Sequence, residues 1–357
     1  MRVGIVTLYG TFNYGNRLQN YALHTALTAL GHDVVTLVSI EDTSVLKGFY
    51  RKFCEKENGA VRLKTREERR RDKAFIGFTK RYIPTLFFSS KAAKLPESLN
   101  SEFDRFVVGS DQVWNPLWWG DVIDCGCSND FLLKFAAPKK RVAYSASFGV
   151  SEIPAAWQNV FCRELEKFSF ISVREHAGAE IVRNLLGRDA CVTLDPTMLL
   201  SADEWRRIKV DLMVSERYIF QFNLGEKSEE QNALVKKLCD SGYSLIDYMD
   251  PSCEYFGGDP SSFLSLLDGA ACVLTDSFHA SVFSILFNKP FVVFDRKHVN
   301  KSNMNSRIAT LLSTFGLEER WQMTDLDSLL EIDYVPISSV LESCRKASIG
   351  FLVEALN

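Results

Sequence analysis

The sequence predicts an α/β protein in which two doubly wound domains face each other across a cleft. Strand and helix patterns alternate along the chain, and the alternation starts afresh after residue 217. The length of 357 residues exceeds what one hydrophobic core usually supports, so it also favours two domains. We place the boundary between residues 200 and 217, with residues 1–205 as the N-terminal domain and residues 206–357 as the C-terminal domain.

The first half opens with a βαβ unit. The apolar run 3–8 predicts a buried parallel strand, residues 17–30 predict a helix that stops at Gly31, and residues 34–38 predict the second strand. The basic segment 47–82 is expected to form a helical excursion before the sheet resumes. The remaining elements of this half are strands at 106–109, 141–144, 170–173 and 190–194, and helices at 154–168 and 174–187.

The second half repeats the alternation. It predicts strands at 218–222, 243–246, 272–274 and 290–294, and helices at 229–239, 261–267, 278–287, 306–315 and 338–356. The last helix is expected to return to the N-terminal domain.

Composition excludes several classes of protein. A hydrophobic content of 46% with 24% charged residues is typical of a soluble globular chain, and no apolar run has the length of a membrane span. The chain starts with a strand pattern instead of a signal peptide, and its nine cysteines contain no CxxC pair, so we expect a cytoplasmic protein. A net charge of −3 argues against nucleic-acid binding, and neither a metal-ligand set nor a cofactor motif is recognisable.

The charge of the basic segment contrasts with the rest of the chain. Residues 47–81 contain thirteen basic and five acidic side chains, a net charge of +8, whereas the remainder carries −11. One interpretation is a solvated helical face with Glu–Arg pairs three and four residues apart. The other is a peripheral contact with acidic membrane at the inner face of the plasma membrane, which would hold the protein beside a lipid-linked substrate.

His279 is the principal candidate for chemistry. The apolar run 272–274 predicts a buried strand, and residues 278–287 predict the helix after it, so His279 falls in the first turn of that helix. Parallel sheets bind ligands at this edge, and the first turn offers unpaired N–H groups for an anion. The imidazole is therefore placed to give a proton to a bound anion. The alternative is a histidine that only caps the helix.

Two loops that follow strands carry groups suited to a hydroxylated ligand. They provide amides, a guanidinium, a carboxylate and an indole, from Asn13, Asn16, Arg17, Asp111, Gln112, Trp114 and Asn115. The Trp114 indole offers a flat face to a sugar ring. The alternative is a tight turn capped by Ser110 and Asp111, with Trp114 in the core.

Cations follow two other strands. Arg174 comes after a buried strand and opens a helix, where it suits an anionic ligand; its alternative is an ion pair with Glu175. The loop after residue 294 carries Arg296, Lys301 and Arg307, beside the histidine. This combination favours a small, highly charged anion.

Five motifs, in this order, resemble the polysaccharide pyruvyl transferase family. They lie at residues 12–23, 109–115, 172–175, 194–197 and 275–279. The resemblance implies two Rossmann-like domains of the GT-B glycosyltransferase type, with the acceptor on the N-terminal domain and the donor on the C-terminal domain. It also implies transfer of a pyruvyl group from phosphoenolpyruvate to a sugar as a cyclic ketal, without metal or cofactor.

Site roles are carried over by motif. His279 corresponds to the general acid, Arg174 to a donor contact, and Asp111 lies where the family has an active-site acidic residue. We expect Asp111 to orient or deprotonate an acceptor hydroxyl. The expected donor set is Arg174, Ser277, Phe278, His279, Arg296, Lys301 and Arg307. The expected acceptor set is Asn13, Asn16, Arg17, Gln112, Trp114 and Asn115, facing a galactose-type sugar on a lipid-linked oligosaccharide, a precursor of capsule or exopolysaccharide.

Two positions depart from the family pattern. Many relatives have Asp at the position of Asn16, and some have Arg at the position of Ser277, so another cation must take over there: Arg296, Lys301 or Arg307. Two alternatives stay open. One is a nucleotide-sugar glycosyltransferase of the same architecture, and the other is a non-catalytic protein that binds anions or carbohydrates.

Overall fold

The computed structural model describes residues 1–10, 13–39, 54–57, 60–88, 95–119, 126–214, 217–296 and 301–357. Within these ranges it describes only the backbone at 54–57, 60–61, 95–97, 126–128, 301–304 and 327. The side chain of Lys301 therefore lies outside the described residues, as does most of the predicted basic excursion before residue 62.

Seven parallel strands form the first sheet, in the order β5-β2-β1-β6-β7-β8-β9. They are β1 (Arg2–Val6), β2 (Asp33–Ser39), β5 (Thr85–Phe88), β6 (Arg105–Val108), β7 (Arg141–Ala146), β8 (Phe170–Val173) and β9 (Cys191–Val192). The central strands are apolar because helices cover both faces of a parallel sheet, and Val3, Ile5 and Val107 are accordingly buried completely.

Four parallel strands form the second sheet, in the order β11-β10-β12-β13. They are β10 (Tyr218–Phe222), β11 (Ser244–Asp247), β12 (Cys272–Thr275) and β13 (Phe291–Val293). Two parallel sheets with helical crossovers confirm the prediction of two Rossmann-like α/β domains in a GT-B-like arrangement. The division at residue 205 stays a prediction.

The helices of the first half are α1 (Tyr14–Ala29), α2 (Arg66–Tyr82), α3 (Leu95–Glu102), α4 (Gly126–Phe131), α5 (Ala155–Leu165), α6 (His176–Leu186) and α7 (Ala202–Arg206). Those of the second half are α8 (Glu229–Asp240), α9 (Pro260–Gly269), α10 (Phe278–Leu286), α11 (Lys301–Phe315), α12 (Leu326–Leu329) and α13 (Tyr334–Leu356). Among the described residues, none of these helices combines the length and the hydrophobicity that a bilayer span requires.

The basic segment is only partly helical, which corrects the prediction for residues 47–82. A hairpin of β3 (Cys54–Glu57) and β4 (Ala60–Leu63) precedes α2. In the sequence Asn58-Gly59 separates the two strands, and this dipeptide favours tight hairpins. Helix α2 starts at a capping box in which Thr65 and Glu68 bond each other's backbone N–H groups.

Helix α2 packs against the C-terminal domain. Its buried Phe75 and Phe78 belong to a cluster that contains Tyr14 of α1 and Phe263 of α9. The Arg70 guanidinium donates to the Phe256 carbonyl on the other side of this contact. One face of the helix is therefore part of the interface between the two sheets.

The last helix returns to the first sheet, as predicted. Leu352, Ala355 and Leu356 are buried in a cluster with Val3 and Ile5 of β1. Helix α13 thus covers part of the N-terminal domain, although it follows the second sheet in the chain.

Candidate active site

His279 lies in the first turn of α10, at the junction of the two domains. Ser277, two residues before His279, caps the helix, and its hydroxyl accepts from the Ala280 N–H at 3.5 Å. The imidazole packs on the backbone of Gly15 in α1, so closely that a methyl group at Gly15 would overlap the ring. The helix N-terminus of one domain therefore carries the histidine, and a helix N-terminus of the other domain contacts it.

Asp195 connects the histidine to the N-terminal domain. Its Oδ2 lies 2.7 Å from Arg174 Nη1 and 3.4 Å from His279 Nε2. The second distance is that of an ion pair without hydrogen-bond alignment, since Nε2 has no hydrogen-bond partner among the described residues. The other oxygen, Oδ1, accepts from the N–H and the hydroxyl of Thr197 at 3.0 and 2.7 Å. One buried carboxylate thus links a guanidinium of the first domain to an imidazole of the second.

Asp195 received no role from the sequence. It stands in the motif at 194–197, directly after the last predicted strand of the first half. This position at the end of a parallel strand could have marked it as a site residue. Burial would raise the pKa of Asp195, but the nearby His279 and Arg174 outweigh burial and hold it well below its ordinary value. The group is an anion at neutral pH.

Arg174 is buried between two carboxylates. Its Nη2 lies 3.1 Å from Asp111 Oδ1, opposite the contact with Asp195, and its guanidinium stacks over the Phe278 ring at 4.4 Å. Burial alone would lower the pKa of Arg174, but the two carboxylates raise it above its ordinary value. Its Nε has no hydrogen-bond partner among the described residues. The alternative considered for Arg174, an ion pair with Glu175, does not form, because Glu175 instead accepts from the backbone N–H of Phe148 at 2.9 Å.

Asp111 belongs to the same cluster. Its backbone has φ 70°, in the left-handed region that few residues other than glycine adopt. Besides Arg174, its carboxylate accepts from Asn16 Nδ2 at 3.2 Å and from the Gln112 N–H at 2.9 Å. Burial works to raise the pKa of Asp111, but Arg174 and then His279 lower it below its ordinary value.

Arg307 is the cation that the structure brings to Arg174. It extends from α11 and is only 4% exposed, and Nη1 lies 3.9 Å from Asp111 Oδ1. Burial, followed by repulsion from Arg174, lowers the pKa of Arg307 to about 10. With the Gln112 amide oxygen turned toward Arg307, that oxygen lies 2.5 and 2.7 Å from two guanidinium nitrogens.

Arg296, another candidate for this role, has a different partner. Its Nε lies 3.3 Å from Asp276 Oδ2. The Asp276 carboxylate also accepts from the N–H groups of Leu224 and Gly225, both at 2.7 Å. This pair fastens the loop after β10 to the start of α10, at the side of the Arg174 cluster.

The predicted acceptor residues form the polar support of the cluster. Asn13 caps α1 by accepting from the Asn16 N–H at 3.1 Å. Arg17 donates to the Gly10 carbonyl at 2.7 Å and stacks over Tyr9 at 4.2 Å. With its oxygen turned toward Arg307, Gln112 places its amide nitrogen 2.7 Å from the Asn115 side-chain amide.

Trp114 requires a correction. Its indole is buried completely in the core of the first domain, against Phe148 and Phe168, and its Nε1–H donates to the Phe131 carbonyl at 2.9 Å. Both ring faces are covered by protein, so stacking on a sugar does not fit this placement. Trp114 is therefore a core residue, which was the alternative to a sugar-binding role.

A cavity of about 410 Å³ adjoins the cluster. Arg174, Asp195, Phe278 and Arg307 form one end of it, and β9, α11 and α13 form its walls. Among the described residues, no three His, Cys, Asp or Glu side chains are grouped so that they could hold a metal ion. The guanidinium groups of Arg174 and Arg307 at this end are N–H donors of the kind that bind a small anion.

Comparison with solved structures finds chains of similar fold at low sequence identity. UDP-N-acetylglucosamine 2-epimerase from Rickettsia bellii aligns with a TM-score of 0.49 and 11% identity, over 99% of this chain and 96% of that chain. An alpha-glucosyltransferase in complex with UDP and a 13-mer DNA aligns with a TM-score of 0.48 and 10% identity, over 99% and 95%. UDP-GlcNAc 2-epimerase from Neisseria meningitidis aligns with a TM-score of 0.47 and 9% identity, over 99% and 100%.

A comparison with curated protein sequences finds no significant match. The family model for polysaccharide pyruvyl transferases, in contrast, matches residues 13–298. This range contains helix α1, the Asp111 turn, Arg174, Asp195 and His279. The chain therefore belongs to the polysaccharide pyruvyl transferase family.

Proposed function

We propose that the protein transfers the pyruvyl group of phosphoenolpyruvate to a sugar acceptor as a cyclic ketal, with His279 as the general acid. Membership of the family supports pyruvyl transfer in polysaccharide synthesis in general. The observation that carries the finer proposal is the meeting of Arg174, Asp195 and His279, which come from different domains and lie in contact at the carboxyl ends of their strands.

The donor fits the charge of the site. Phosphoenolpyruvate carries about three negative charges near neutral pH, since its second phosphate pKa is near 6 and its carboxylate is ionised. Arg174 and Arg307 are both buried, so their attraction for an anion is weakly screened. Some relatives have an Arg at the position of Ser277. We propose that Arg307 supplies this positive charge to the donor site in the present chain. In this chain Ser277 instead caps α10, and Phe278 stacks on Arg174.

The chemical step begins with a proton. Protonated His279 gives its proton to the vinyl CH₂ carbon, the C=C electron pair forms the new C–H bond, and the positive charge that develops at C2 is shared with its oxygen. One sugar hydroxyl attacks C2 and loses its proton, inorganic phosphate leaves from C2, and a second hydroxyl closes the ketal ring with loss of its own proton. One of the two released protons restores His279, the other is taken up by the departing phosphate, which leaves as HPO₄²⁻, and no electrons are exchanged with an outside reagent.

Two carboxylates orient this machinery. Asp195 stabilises the protonated imidazole and holds Arg174 in place, while Asp111 holds Arg174 and Asn16. A carboxylate whose pKa is lowered is a weak base. We therefore assign Asp111 to orientation of the donor-binding guanidinium instead of deprotonation of the acceptor.

Substrate entry requires the two domains to separate. His279 is 6% exposed and lies between Asp195 of one domain and its own helix, with Gly15 against the ring. Opening of the junction admits the donor, and closure then excludes water from the cation at C2.

The decisive experiment is His279→Gln in the purified full-length chain, with acceptor-dependent phosphate release and the mass of the ketal product as readouts. Loss of the acid should lower the rate by about 10²–10⁴ while the protein stays folded. His176→Gln is the matched control, since His176 starts α6 on the exposed surface. A His279→Gln enzyme with wild-type turnover would end this assignment.

The two alternatives are separated by ligand binding. A glycosyltransferase would be stabilised against heat by UDP or GDP and not by phosphoenolpyruvate. A non-catalytic binder would be stabilised by phosphoenolpyruvate without releasing phosphate in the presence of any acceptor. The proposal expects stabilisation by phosphoenolpyruvate together with phosphate release.

For the acceptor we propose a galactose-type sugar on a lipid-linked precursor, presented at an acidic membrane surface. The support is the exposed face of α2, where Arg66, Arg69 and Lys73 line a surface cavity. Other basic residues of this segment form ion pairs, as the solvated-face alternative expects: Arg62 with Glu68 and Lys64 with Asp72, both at 2.6 Å.

Liposome co-sedimentation tests the membrane contact. Replacement of Arg66, Arg69 and Lys73 by Glu should release the protein from acidic vesicles, because each lost cation removes about 1 kcal/mol of attraction and each new acid adds repulsion. The same reversal at Arg207, Lys236 and Lys237, which are exposed elsewhere, is the control. Equal effects of both triple variants would support the solvated-face interpretation.

A further inference from the structure

The cavity beside the Arg174 cluster has one charged end and apolar walls. Its volume of about 410 Å³ lies within the range typical of small-molecule sites. The charged end presents the guanidinium groups of Arg174 and Arg307 and the carboxylate of Asp195. Asp195 and Asp111 balance the charge of the two guanidinium groups, so what this end offers an oxyanion is N–H donors and not a surplus of positive charge.

The Arg174 guanidinium has a buried N–H group that can donate a hydrogen bond to a ligand. Arg174 is 4% exposed, and its Nε has no hydrogen-bond partner among the described residues. A buried donor without an acceptor destabilises the unliganded protein, so a ligand oxygen that accepts from it binds more tightly. Phosphate suits this position because its three oxygens accept several charge-assisted bonds at once.

The walls of the cavity are apolar. Leu194, Met198, Leu311, Phe315, Ala347 and Phe351 line them. The first two follow β9, the next two lie on α11, and the last two lie on α13. An apolar ligand group placed between these elements removes hydrocarbon from water.

The hydroxyl groups in the walls already have protein partners. Thr314 Oγ1 donates to the Thr310 carbonyl at 2.7 Å, and Ser348 Oγ accepts from the Leu194 N–H at 3.0 Å. Thr193 Oγ1 donates to Ser172 Oγ at 2.9 Å. A sugar ring would therefore lose hydrogen bonds to water that these walls do not replace. The walls favour a hydrocarbon chain over a carbohydrate.

We propose that this cavity binds a phosphate monoester of an aliphatic chain, with the phosphate at Arg174 and Arg307 and the chain between α11 and α13. The phosphate occupies the guanidinium groups that the proposed donor uses, so the two ligands exclude each other. The binding itself does not rest on the proposed function, because it is measured without turnover.

The test is isothermal titration of the full-length wild-type chain with inorganic phosphate, butyl phosphate and octyl phosphate, each below its aggregation concentration. Each methylene buried in the cavity should tighten binding about fourfold. Octyl phosphate should thus bind at least tenfold more tightly than butyl phosphate. Affinities within twofold of one another across the three probes would overturn the proposal.

A cavity-filling variant locates the chain. Ala347→Phe places a ring between the walls and leaves both guanidinium groups intact, so it should abolish the gain with chain length while inorganic phosphate binds as before. Val353→Phe is the matched control, since Val353 lies on the same helix and is likewise exposed but does not line the cavity. An unchanged chain-length series in a folded Ala347→Phe variant would show that the chain binds elsewhere and would refute the proposal.

Competition connects the cavity to the donor site. Octyl phosphate should raise the apparent KM for phosphoenolpyruvate without changing kcat, because both ligands need Arg174. If the protein binds octyl phosphate as expected but releases no phosphate from phosphoenolpyruvate, the cavity proposal stands and the proposed function fails.

Discussion

At the scale of single residues, the buried carboxylate of Asp195 sets how stability depends on pH. His279 and Arg174 hold its pKa in the folded chain below the ordinary value of about 3.9. The unfolded chain therefore binds more protons than the folded chain in mildly acidic solution, and stability falls as the pH falls. The contribution of Asp195 is complete above about pH 5, one unit above the unfolded pKa, and is lost as the pH falls toward its lowered folded pKa.

Asp195→Asn should weaken this acid dependence. In urea unfolding between pH 7 and pH 2.5, the wild-type chain should lose stability steeply below about pH 4, and the variant should lose less over the same interval. At pH 7 the variant should be the less stable protein, since Arg174 then keeps only Asp111 as a buried ionic partner. Asp189→Asn, at a side chain that is 82% exposed, should reproduce the wild-type profile.

Gly15 allows the close approach of α1 to the imidazole. Gly15→Ala should displace His279, because the added methyl overlaps the ring, at a cost of about 1–3 kcal/mol in stability and about 10² in turnover. Gly77→Ala in α2 meets no atom within 4 Å and should stabilise the protein slightly. A Gly15→Ala enzyme with wild-type unfolding and turnover would show that this contact does not position the histidine.

The sequence could identify residues whose position follows from the strand pattern. His279, Arg174 and Asp111 were found because each stands directly after a predicted strand of a parallel sheet, where side chains converge. Asp195 also follows a predicted strand, at 190–194, but its role depends on His279 of the other domain, and no local pattern reveals that partner. An indole suits both a core and a sugar platform, so Trp114 could not be placed before its neighbours were known.

At the scale of elements, the parallel strands were predictable because they are short apolar runs between polar loops. The hairpin β3–β4 was missed because its strands mix charged and apolar residues, and a dense run of basic residues resembles a solvated helix. Strand β5 was missed because four residues after Pro84 give little periodicity. It joins the sheet through pairing with β2, which is a long-range contact.

Helix α13 stabilises the N-terminal domain through one face. Leu352 is buried completely against β1, whereas the adjacent Val353 is 40% exposed. Leu352→Ala should cost about 2–5 kcal/mol in the free energy of unfolding, and Val353→Ala should change it by less than about 0.5 kcal/mol. Chemical denaturation of the two variants checks this, and similar values for both would contradict the packing of α13 on the first sheet.

At the scale of the whole molecule, one aromatic cluster joins the two domains. The ring centroid of Tyr14 in α1 lies 5.2 Å from that of Phe263 and 5.9 Å from that of Phe222, both in the C-terminal domain. Its hydroxyl donates to the Gly258 carbonyl at 3.0 Å. A cleft between domains follows from the repeated alternation in the sequence, but its closure depends on side chains from α1, α2, β10 and α9 interlocking. No pattern within one element reports that.

Tyr14 should control opening of the cleft and, through it, catalysis. Burial raises the pKa of Tyr14 to about 12, so its hydroxyl stays a donor throughout the neutral range. Tyr14→Phe keeps the ring and should cost about 0.5–1.5 kcal/mol in unfolding free energy. Tyr14→Ala removes the ring that joins the domains and should cost about 3–5 kcal/mol. By loosening the contact between Gly15 and His279, Tyr14→Ala should also lower turnover much more than Tyr14→Phe does.

Small-angle scattering and steady-state kinetics on the two variants distinguish closure from simple stability. Tyr14→Ala should show a larger radius of gyration than the wild-type chain without donor, and saturating phosphoenolpyruvate should reverse part of that increase, because the donor's charges bridge Arg174 and the N-terminus of α10. Tyr14→Phe should keep the wild-type radius under both conditions. If Tyr14→Ala stays as compact as the wild-type chain and yet loses activity, the ring acts only through Gly15 and not through separation of the domains.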